Sequence, residues 1–440
     1  MNGQGVRQRV GVDARQIAAR VLTRVLRDQA FASASLDAEI DKHPQLDARD
    51  RGLATELVYG TVRCYPALLK ALRSHAPRGL PEDDWAFIVP LVIAAYQVLY
   101  LDRVPAFAAV NAAVGQISRV RVKPLGGFAN AVLRKLGRSV HSQEQAVFES
   151  APPWLTQALR SAVGERETRA LLGISDSGGF APGFLGLRYK TGQLPSQEIA
   201  NAEPSPLLDG AYRVRRAGDP RRLAGYQAGH FSVQEEGAQF VAAALGAKSG
   251  ERVLDACAGR GQKTMLLAER VGAGVVWASD LYPAKLAALA EEARRLQLPE
   301  IRTRALDLTQ GVGDLPGDFD RVLVDAPCSG TGTLRRRPEI LLRLRPEDPT
   351  RLAQLAEKIL RTVCPLVRPG GRLVFAVCSV LPEECEAVVA RVSDILAPIA
   401  FDSPEVTRVF GANTTSFRLL PGAHGTDGYF AASLCRVAAR

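Results

Sequence analysis

Val322-Leu-Val-Asp-Ala-Pro-Cys-Ser-Gly330 decides how this chain is read. Three apolar residues running into an acid have the form of a buried strand of a parallel sheet, which is covered on both faces. A carboxylate, a proline and a thiol at a strand's carboxyl end are poor core-filling choices. They suit a site, because open α/β sheets bind ligands just beyond those ends. Fifty residues on, a second run, Arg372-Leu-Val-Phe-Ala-Val377, ends in Cys378-Ser379. If both runs are strands of one sheet, each delivers a thiol to the same edge.

The sequence around them supports such a sheet. From Val233 onward, strands are predicted at Arg252–Leu254, Val275–Ser279, near Ile301–Leu306, at Asp320–Val324 and at Arg372–Val377. Helices are predicted at Lys263–Arg270, Tyr282–Leu296, Thr350–Val363 and Pro382–Ile395. This alternation implies a doubly wound, mostly parallel, Rossmann-like sheet. From Asp13 to about Arg138 the period is helical instead. Ile17, Val21, Leu22, Val25 and Leu26 form one stripe, and Leu53, Leu57, Val58 and Val62 a second; Leu68, Leu69 and Leu72 continue it or form a third. Residues 139–153 read as a linker and Leu155–Leu172 as a helix. Phe184–Lys190, 195–200 and Tyr212–Arg216 suggest a small α+β module. The expected fold is thus multidomain α and α/β: an all-helical domain over 1–140, a small α+β module over 150–230 and the Rossmann-like domain over 231–440.

At 440 residues, 47% hydrophobic and 23% charged, the chain has the composition of a soluble globular protein of two to four domains. Its first residues lack the apolar core of a signal peptide. The longest apolar stretch, Trp85–Leu101, carries Pro90 and Gln97 and falls short of the roughly 20 residues of a membrane span, so it reads as a buried helix. Seven cysteines without paired spacing suggest free thiols in a reducing cytoplasm. The five histidines form no Cys/His cluster with zinc spacing, so no metal is expected. The net charge of +10 is uneven: +6 over residues 1–150, +3 over 151–230 and +1 over 231–440. Such an excess suits an amino-terminal half that grips a polyanion, and it equally suits solubility alone.

Within the α/β part, the first βα turn is Asp255-Ala-Cys-Ala-Gly259-Arg-Gly261-Gln-Lys-Thr264. Glycines at i and i+2 let backbone approach a ligand closely, and Asp280, nineteen residues beyond Gly261, suits ribose hydroxyls. Thr264 stands where a dinucleotide fingerprint has its third glycine, which fits a nucleoside ligand without a pyrophosphate. Asp307 could accept from an adenine amino group or cap a helix. The thiols suit chemistry at C5 of a pyrimidine, which is a poor nucleophile unaided. A thiolate adding to C6 makes the ring an enamine that attacks an electrophilic methyl group, and a second group then helps the thiol leave. Asp325 could hold the N3/N4 edge of the base. Arg335, Arg336 and Arg337, and less strongly Arg188 and Lys190, could meet phosphates or form solvated charge. Cys64, Cys364, Cys385 and Cys435 read as packing residues.

The segments Val253-Leu-Asp-Ala-Cys-Ala258, Asp325-Ala-Pro-Cys-Ser-Gly330, Cys378-Ser-Val-Leu-Pro-Glu-Glu384 and Asp427-Gly-Tyr-Phe430 resemble the NOL1/NOP2/Sun RNA (cytosine-5)-methyltransferases. Ala14–Leu136, including Arg49-Asp-Arg-Gly-Leu-Ala-Thr-Glu56, resembles the NusB-like domain fused to one bacterial branch, which methylates small-subunit ribosomal RNA. The resemblance implies Cys378 as nucleophile and Cys328 as the cysteine assisting release. It also implies S-adenosylmethionine contacts from Cys257, Ala258, Gly259, Arg260, Gly261, Gln262, Lys263, Asp280, Asp307 and Asp325. Gln234 matches a further family signature. The expected partner is small-subunit (16S) ribosomal RNA; no membrane or metal is expected, and the chain is expected to be monomeric. Two residues depart from the family's Ala-Pro-Gly-Gly-Lys: Arg260 replaces its proline and Gln262 its second glycine. Gln262 would be strained if that position required a positive φ. Val377 also stands where the family usually has threonine. Three other readings stay open: a non-catalytic RNA-binding or ribosome-assembly factor, a transfer-RNA methyltransferase and a Rossmann oxidoreductase.

Overall fold

The computed structural model describes residues 13–120, 123–136, 142–175, 180, 183–195, 199, 201–215 and 219–437. They fall into two compact units. The first takes the described residues of 1–156 and 176–180 together with 337–343, and the second takes the rest.

The first unit is helical: α1 (Ala14–Arg27), α2 (Ala32–Asp41), α3 (Ala48–Arg73), α4 (Trp85–Tyr100), α5 (Ala106–Val120), α6 (Lys123–Lys135) and α7 (Gln143–Ser150). Asp13 and Asp47 cap α1 and α3 by accepting backbone N–H bonds, which offsets the orphan donors of a helix start. The stripes from Leu53 to Leu72 lie on one helix, α3. The apolar run from Trp85 is a core helix, buried continuously from Phe87 to Gln97. No helix among the described residues is long and apolar enough to cross a membrane. Gly60 of α3 lets Tyr96 of α4 approach; a Cβ there would lie 2.1 Å from the phenol. The expected linker over 139–153 is corrected in part. Its residues 143–150 form α7, which starts in a capping box between Ser142 and Gln145, so its polar composition reflects a cap rather than a tether. Residues 137–141 lie outside the described residues.

The second unit has two sheets, preceded by α8 (Pro153–Leu171). Strands β1 (Leu185–Tyr189), β2 (Glu203–Pro204), β3 (Ala211–Val214) and β4 (Phe231–Val233) make an antiparallel sheet in the order β2-β3-β1-β4. After α9 (Ala224–Gln227) and α10 (Glu236–Ala244) comes the doubly wound part. It contains β5 (Arg252–Asp255), α11 (Gln262–Val271), β6 (Val275–Asp280), α12 (Pro283–Arg295), β7 (Ile301–Ala305), β8 (Phe319–Asp325), α13 (Asp348–Val363) and β9 (Val367–Val377). These five strands are parallel in the order β9-β8-β5-β6-β7. The chain then adds α14 (Glu386–Arg391), β10 (Leu396–Pro398), α15 (Pro404–Phe410), β11 (Ser416–Leu419), α16 (Pro421–His424) and β12 (Tyr429–Arg436). β12 pairs antiparallel with β9, β10 and β11.

Helices cover both faces of the large sheet, which is why its central strands are apolar on both sides. Leu254, Val322, Val324, Leu373 and Phe375 face one core layer; Val253, Leu323, Val374 and Ala376 face the other. Phe375 is fully buried and packs 6.3 Å from the Phe430 ring. Phe375→Ala is expected to cost about 3–5 kcal/mol, the usual range for emptying such a position. Urea unfolding checks it, and a cost below about 1 kcal/mol would mean that the sheet is not packed as described.

Candidate active site

The strand order reverses direction between β5 and β8, so the crevice beyond their carboxyl ends is the switch point where such sheets bind ligands. Asp255 ends β5, Asp280 ends β6, Asp325 ends β8, and Cys378 directly follows β9. The topology therefore brings four separate stretches of chain to one edge.

The β5 loop is built for close approach. Gly259 sits at φ +58° and its N–H donates to Asp280 Oδ2 over 3.0 Å. Gly261 takes a left-handed conformation at the start of α11 (φ +84°), and a Cβ there would meet Leu289 at 2.4 Å, so both backbone and packing demand glycine. Gln262 is the first residue of α11 and has no positive φ. The strain that its departure from the family pattern raised is therefore absent: Gly261, not residue 262, takes the left-handed turn. The Gln262 amide instead donates to Val233 O over 3.3 Å, and Arg260 is exposed. Asp280 accepts a second backbone bond, from Tyr282 N–H at 2.9 Å, and pairs with Lys285 at 3.3 Å. Asp307 is exposed and accepts from the Thr309 backbone and hydroxyl at 2.9 and 2.7 Å. Those bonds hold its carboxyl below the ordinary range.

Lys263 joins this loop to β8 through an ion pair, Nζ to Asp325 Oδ2 at 2.6 Å. Burial works against its charge, but Asp325, with a smaller pull from Cys378, prevails and keeps the ammonium more basic than usual. Its cation also faces the Tyr429 ring at 5.7 Å. Cys328 and Cys378 meet sulfur to sulfur at 3.4 Å, within thiol hydrogen-bonding distance and well beyond the ~2.05 Å of a disulfide. Cys328 packs against one core layer and Cys378 against the other, so the thiols converge from opposite faces of the sheet. The Cys328 thiol is pushed up by its bond to Cys378, by burial and by the charges of Glu384 and Asp325. Cys257 is also pushed up, by burial and then by Asp255, which suits a packing thiol rather than a nucleophile.

Three of the basic residues expected to meet phosphates do other work. Arg335 is buried and pairs with Asp427 at 3.2 Å; Arg336 pairs with the same carboxylate at 2.9 Å and donates to Phe184 O. Arg188 is buried in a pair with Glu269 and a 3.0 Å bond to Ser232. The expectation is corrected for Arg188 and Arg335, which are buried on internal acids, and Arg336 is engaged by the same acid as Arg335. Lys190 gives its ammonium to Leu296 O at 2.8 Å. Arg337 is exposed, with its guanidinium 5.8 Å from the Phe31 ring, and stays a phosphate candidate.

Several site residues escaped the sequence reading: Asp255, Glu235, Asp427, Tyr429 and Glu384. Gln234, which matched a family signature, is buried beside Glu235, and its amide finds no hydrogen-bond partner. Glu235 is half-buried, accepts the Asp427 N–H at 2.9 Å and is pushed up by desolvation and by Asp427. Asp255 is buried and its Oδ2 accepts from Thr264 at 2.7 Å, while its Oδ1 has no hydrogen-bond partner. The signal for it was available: it is the acid that ends the first strand of the switch point.

Burial pushes the Asp255 carboxyl up to about 7; Asp325 and Asp280 reinforce this, and Thr264 and Lys263 oppose it. The native state therefore holds a proton that the unfolded chain releases near the ordinary pKa of about 4. By linkage, Asp255 lowers stability as pH rises from about 4 to about 7 and adds no further change above that. Asp255→Asn is accordingly expected to melt higher than the parent at pH 8, with the gain shrinking at pH 5. An equal gain at both values would contradict the buried acid.

Among the described residues, no group of three or more His, Cys, Asp or Glu side chains could hold a metal ion. The site does fit a cationic methyl donor with a nucleoside. It offers an orphaned buried acid oxygen at Asp255, a glycine cradle at Gly259 and Gly261, and an acid at the end of the next strand.

Comparison with known proteins agrees with this architecture. Residues 242–435 match the family model described as 16S rRNA methyltransferase RsmB/F, and residues 12–138 match the NusB family. The chain is 32% identical to a probable ribosomal RNA small subunit methyltransferase B of Synechocystis sp., covering 96% of this chain and 99% of that one. It is 31% identical to the corresponding probable enzyme of Bacillus subtilis (96% and 98%) and 30% identical to the ribosomal RNA small subunit methyltransferase B of Yersinia pseudotuberculosis (96% and 98%). Among solved structures, that of PH0851 aligns with a TM-score of 0.81 over 97% of this chain and 99% of that one, at 21% identity. That of NSun6 from Pyrococcus horikoshii with SFG aligns with a TM-score of 0.56 over 66% and 99%, at 18% identity. At these identities the two structures support the fold alone.

Proposed function

Because the chain belongs to the RsmB/F family of 16S rRNA methyltransferases and carries a NusB-family domain, we propose that it forms 5-methylcytosine in small-subunit ribosomal RNA with S-adenosylmethionine as donor. The observation that carries this reading is the pair of thiols 3.4 Å apart beside an Asp-Lys ion pair, at the switch point of the sheet.

In this mechanism Cys378 is the nucleophile. Its thiolate adds to C6 of the cytosine, whose C5 then carries the electron density. Lys263 and the Asp325 carboxylate stand beside it, so proton loss from Cys378 occurs next to a fixed cation. Asp325 accepts from the exocyclic amino group of the base and orients the ring. S-adenosylmethionine, when bound, supplies the electrophilic methyl group that C5 takes. The C5 proton must then leave to a base, and the C6–S bond breaks to restore the aromatic ring. Cys328 assists that step: its S–H donates to the departing sulfur of Cys378. Gly259, Gly261, Asp255 and Asp280 hold the donor, and the target base leaves its stack to reach the thiols. Arg337 contributes to the grip on RNA phosphates.

Calorimetric titration with S-adenosylmethionine tests the donor site. One-to-one binding is expected, weakened about 10–100-fold in Asp280→Ala, the worth of a hydrogen bond to a charged group. A folded protein that binds no donor, with RNA absent or present, would instead favour an RNA-binding assembly factor.

A further inference from the structure

We propose that Glu384 is a positioning residue for methyl transfer: its one carboxylate clasps the two thiol-bearing loops together and sets a negative charge on the Cys328 side of the pair. The inference rests on the roles given above to Cys378 and Cys328.

Each thiol is followed by a serine, and both serines end on Glu384. Ser329 N–H donates to Glu384 Oε1 over 2.7 Å. The Ser329 hydroxyl donates to Oε2, and the Ser379 hydroxyl reaches the same oxygen at 2.6 Å. Thr331 tightens the junction through a 2.9 Å contact with the Ser379 hydroxyl and by accepting Val380 N–H. Gly332 N–H donates to Cys378 O at 3.0 Å. The loops after β8 and β9 are thus tied one residue beyond each sulfur, at a carboxylate only 1% exposed.

The cost of this arrangement argues for a role beyond a loop staple. A buried carboxylate is expensive unless paired. Among the described residues no Lys or Arg forms an ion pair with Glu384; its bonds come from the two serines. Burial pushes its carboxyl up, the serine bonds oppose this, and Glu383 adds to the rise. Serine and an amide could tie two loops without a charge.

The charges around the pair are asymmetric. Cys328 is faced by Cys378, Glu384 and Asp325. Cys378 has Lys263 near it, together with Asp325 and the Tyr429 phenol. A negative charge behind Cys328 and a positive one beside Cys378 favour a thiol at the first and a thiolate at the second. This division is what a nucleophile and a release donor need from two otherwise identical groups.

The test is the pH dependence of iodoacetamide alkylation at Cys328 and Cys378, followed by peptide mass spectrometry without RNA or donor. Glu384→Gln keeps the shape and removes the charge. It is expected to move the Cys328 midpoint down by about one pH unit and raise its alkylation at pH 8 about tenfold. Methyl transfer should lose kcat while KM for RNA is kept, the signature of lost positioning. A folded Glu384→Gln protein with a parent-like Cys328 profile overturns the inference. Glu384→Asp is the second variant: it keeps the charge but retracts it by one methylene. It is expected to keep the parent midpoint and lose kcat about tenfold, and a parent-like kcat there would overturn the clasp. Failure of the underlying roles looks different: Cys378→Ala would still methylate RNA, whatever the alkylation profiles.

Discussion

Cys378→Ala is expected to lower methyl transfer by about 10⁴-fold or more while the protein still binds S-adenosylmethionine. The size follows from the chemistry. Without a sulfur on C6, C5 of cytosine keeps its aromatic electrons and does not attack a methyl group. Cys328 cannot take over, although it lies 3.4 Å away. Its own proton is held by burial and by the Glu384 and Asp325 charges. The donor cradle is built on other strands, around Gly259, Gly261 and Asp280, so affinity for the donor should stay within about twofold, as for sites that share no partner. Incorporation of labelled methyl into a small-subunit RNA transcript, with donor titration on the same sample, reads both halves. Turnover within tenfold of the parent would remove Cys378 as nucleophile.

Cys328→Ala is expected to fail at the opposite end of the cycle. Cys378 should still add to the base and the methyl group should still arrive, but the sulfur then leaves without a donor beside it. The variant should accumulate a covalent RNA adduct approaching on the order of one per enzyme, stable to denaturant and removed by nuclease. Multiple turnover should stop after this first event. Two features of the site support the assignment. The bond to Cys378, burial and the neighbouring acids push the Cys328 thiol up, and its sulfur is close enough to donate to Cys378. Denaturing gel electrophoresis checks it. A variant that turns over repeatedly without an adduct would assign release to another group.

The sheet and its thiols were legible because they depend on local pattern. Apolar runs that end in Asp255, Asp280 and Asp325 show strand and site at once. The bounds then shift by only a few residues, as in β8, which starts at Phe319 rather than Asp320. What stayed hidden depends on partners far apart in the chain. Arg335 and Arg336 look like solvated charge, and nothing nearby reveals Asp427, more than ninety residues on, as their partner. Glu384 sits in Leu-Pro-Glu-Glu, which reads as the start of a helix, so the expected helix over 382–395 shrinks to Glu386–Arg391 and the acid before it turns inward. The edge formed by β10 and β11 escaped because Leu396–Pro398 and Ser416–Leu419 are too short to show alternation. Gln262 misled in the other direction. Its departure from a family glycine suggested strain, but the left-handed turn lies one residue earlier, at Gly261.

The central claim is that Cys378 bonds to C6 of a cytosine in small-subunit ribosomal RNA. Incubation with S-adenosylmethionine and RNA containing 5-fluorocytidine tests it most directly, because fluorine at C5 cannot leave as a proton and traps the adduct. After nuclease and protease digestion, mass spectrometry is predicted to find a methylated fluorocytidine on the peptide that carries Cys378. The same nucleotide on the Cys328 peptide, or no adduct with a protein that binds both donor and RNA, would contradict it.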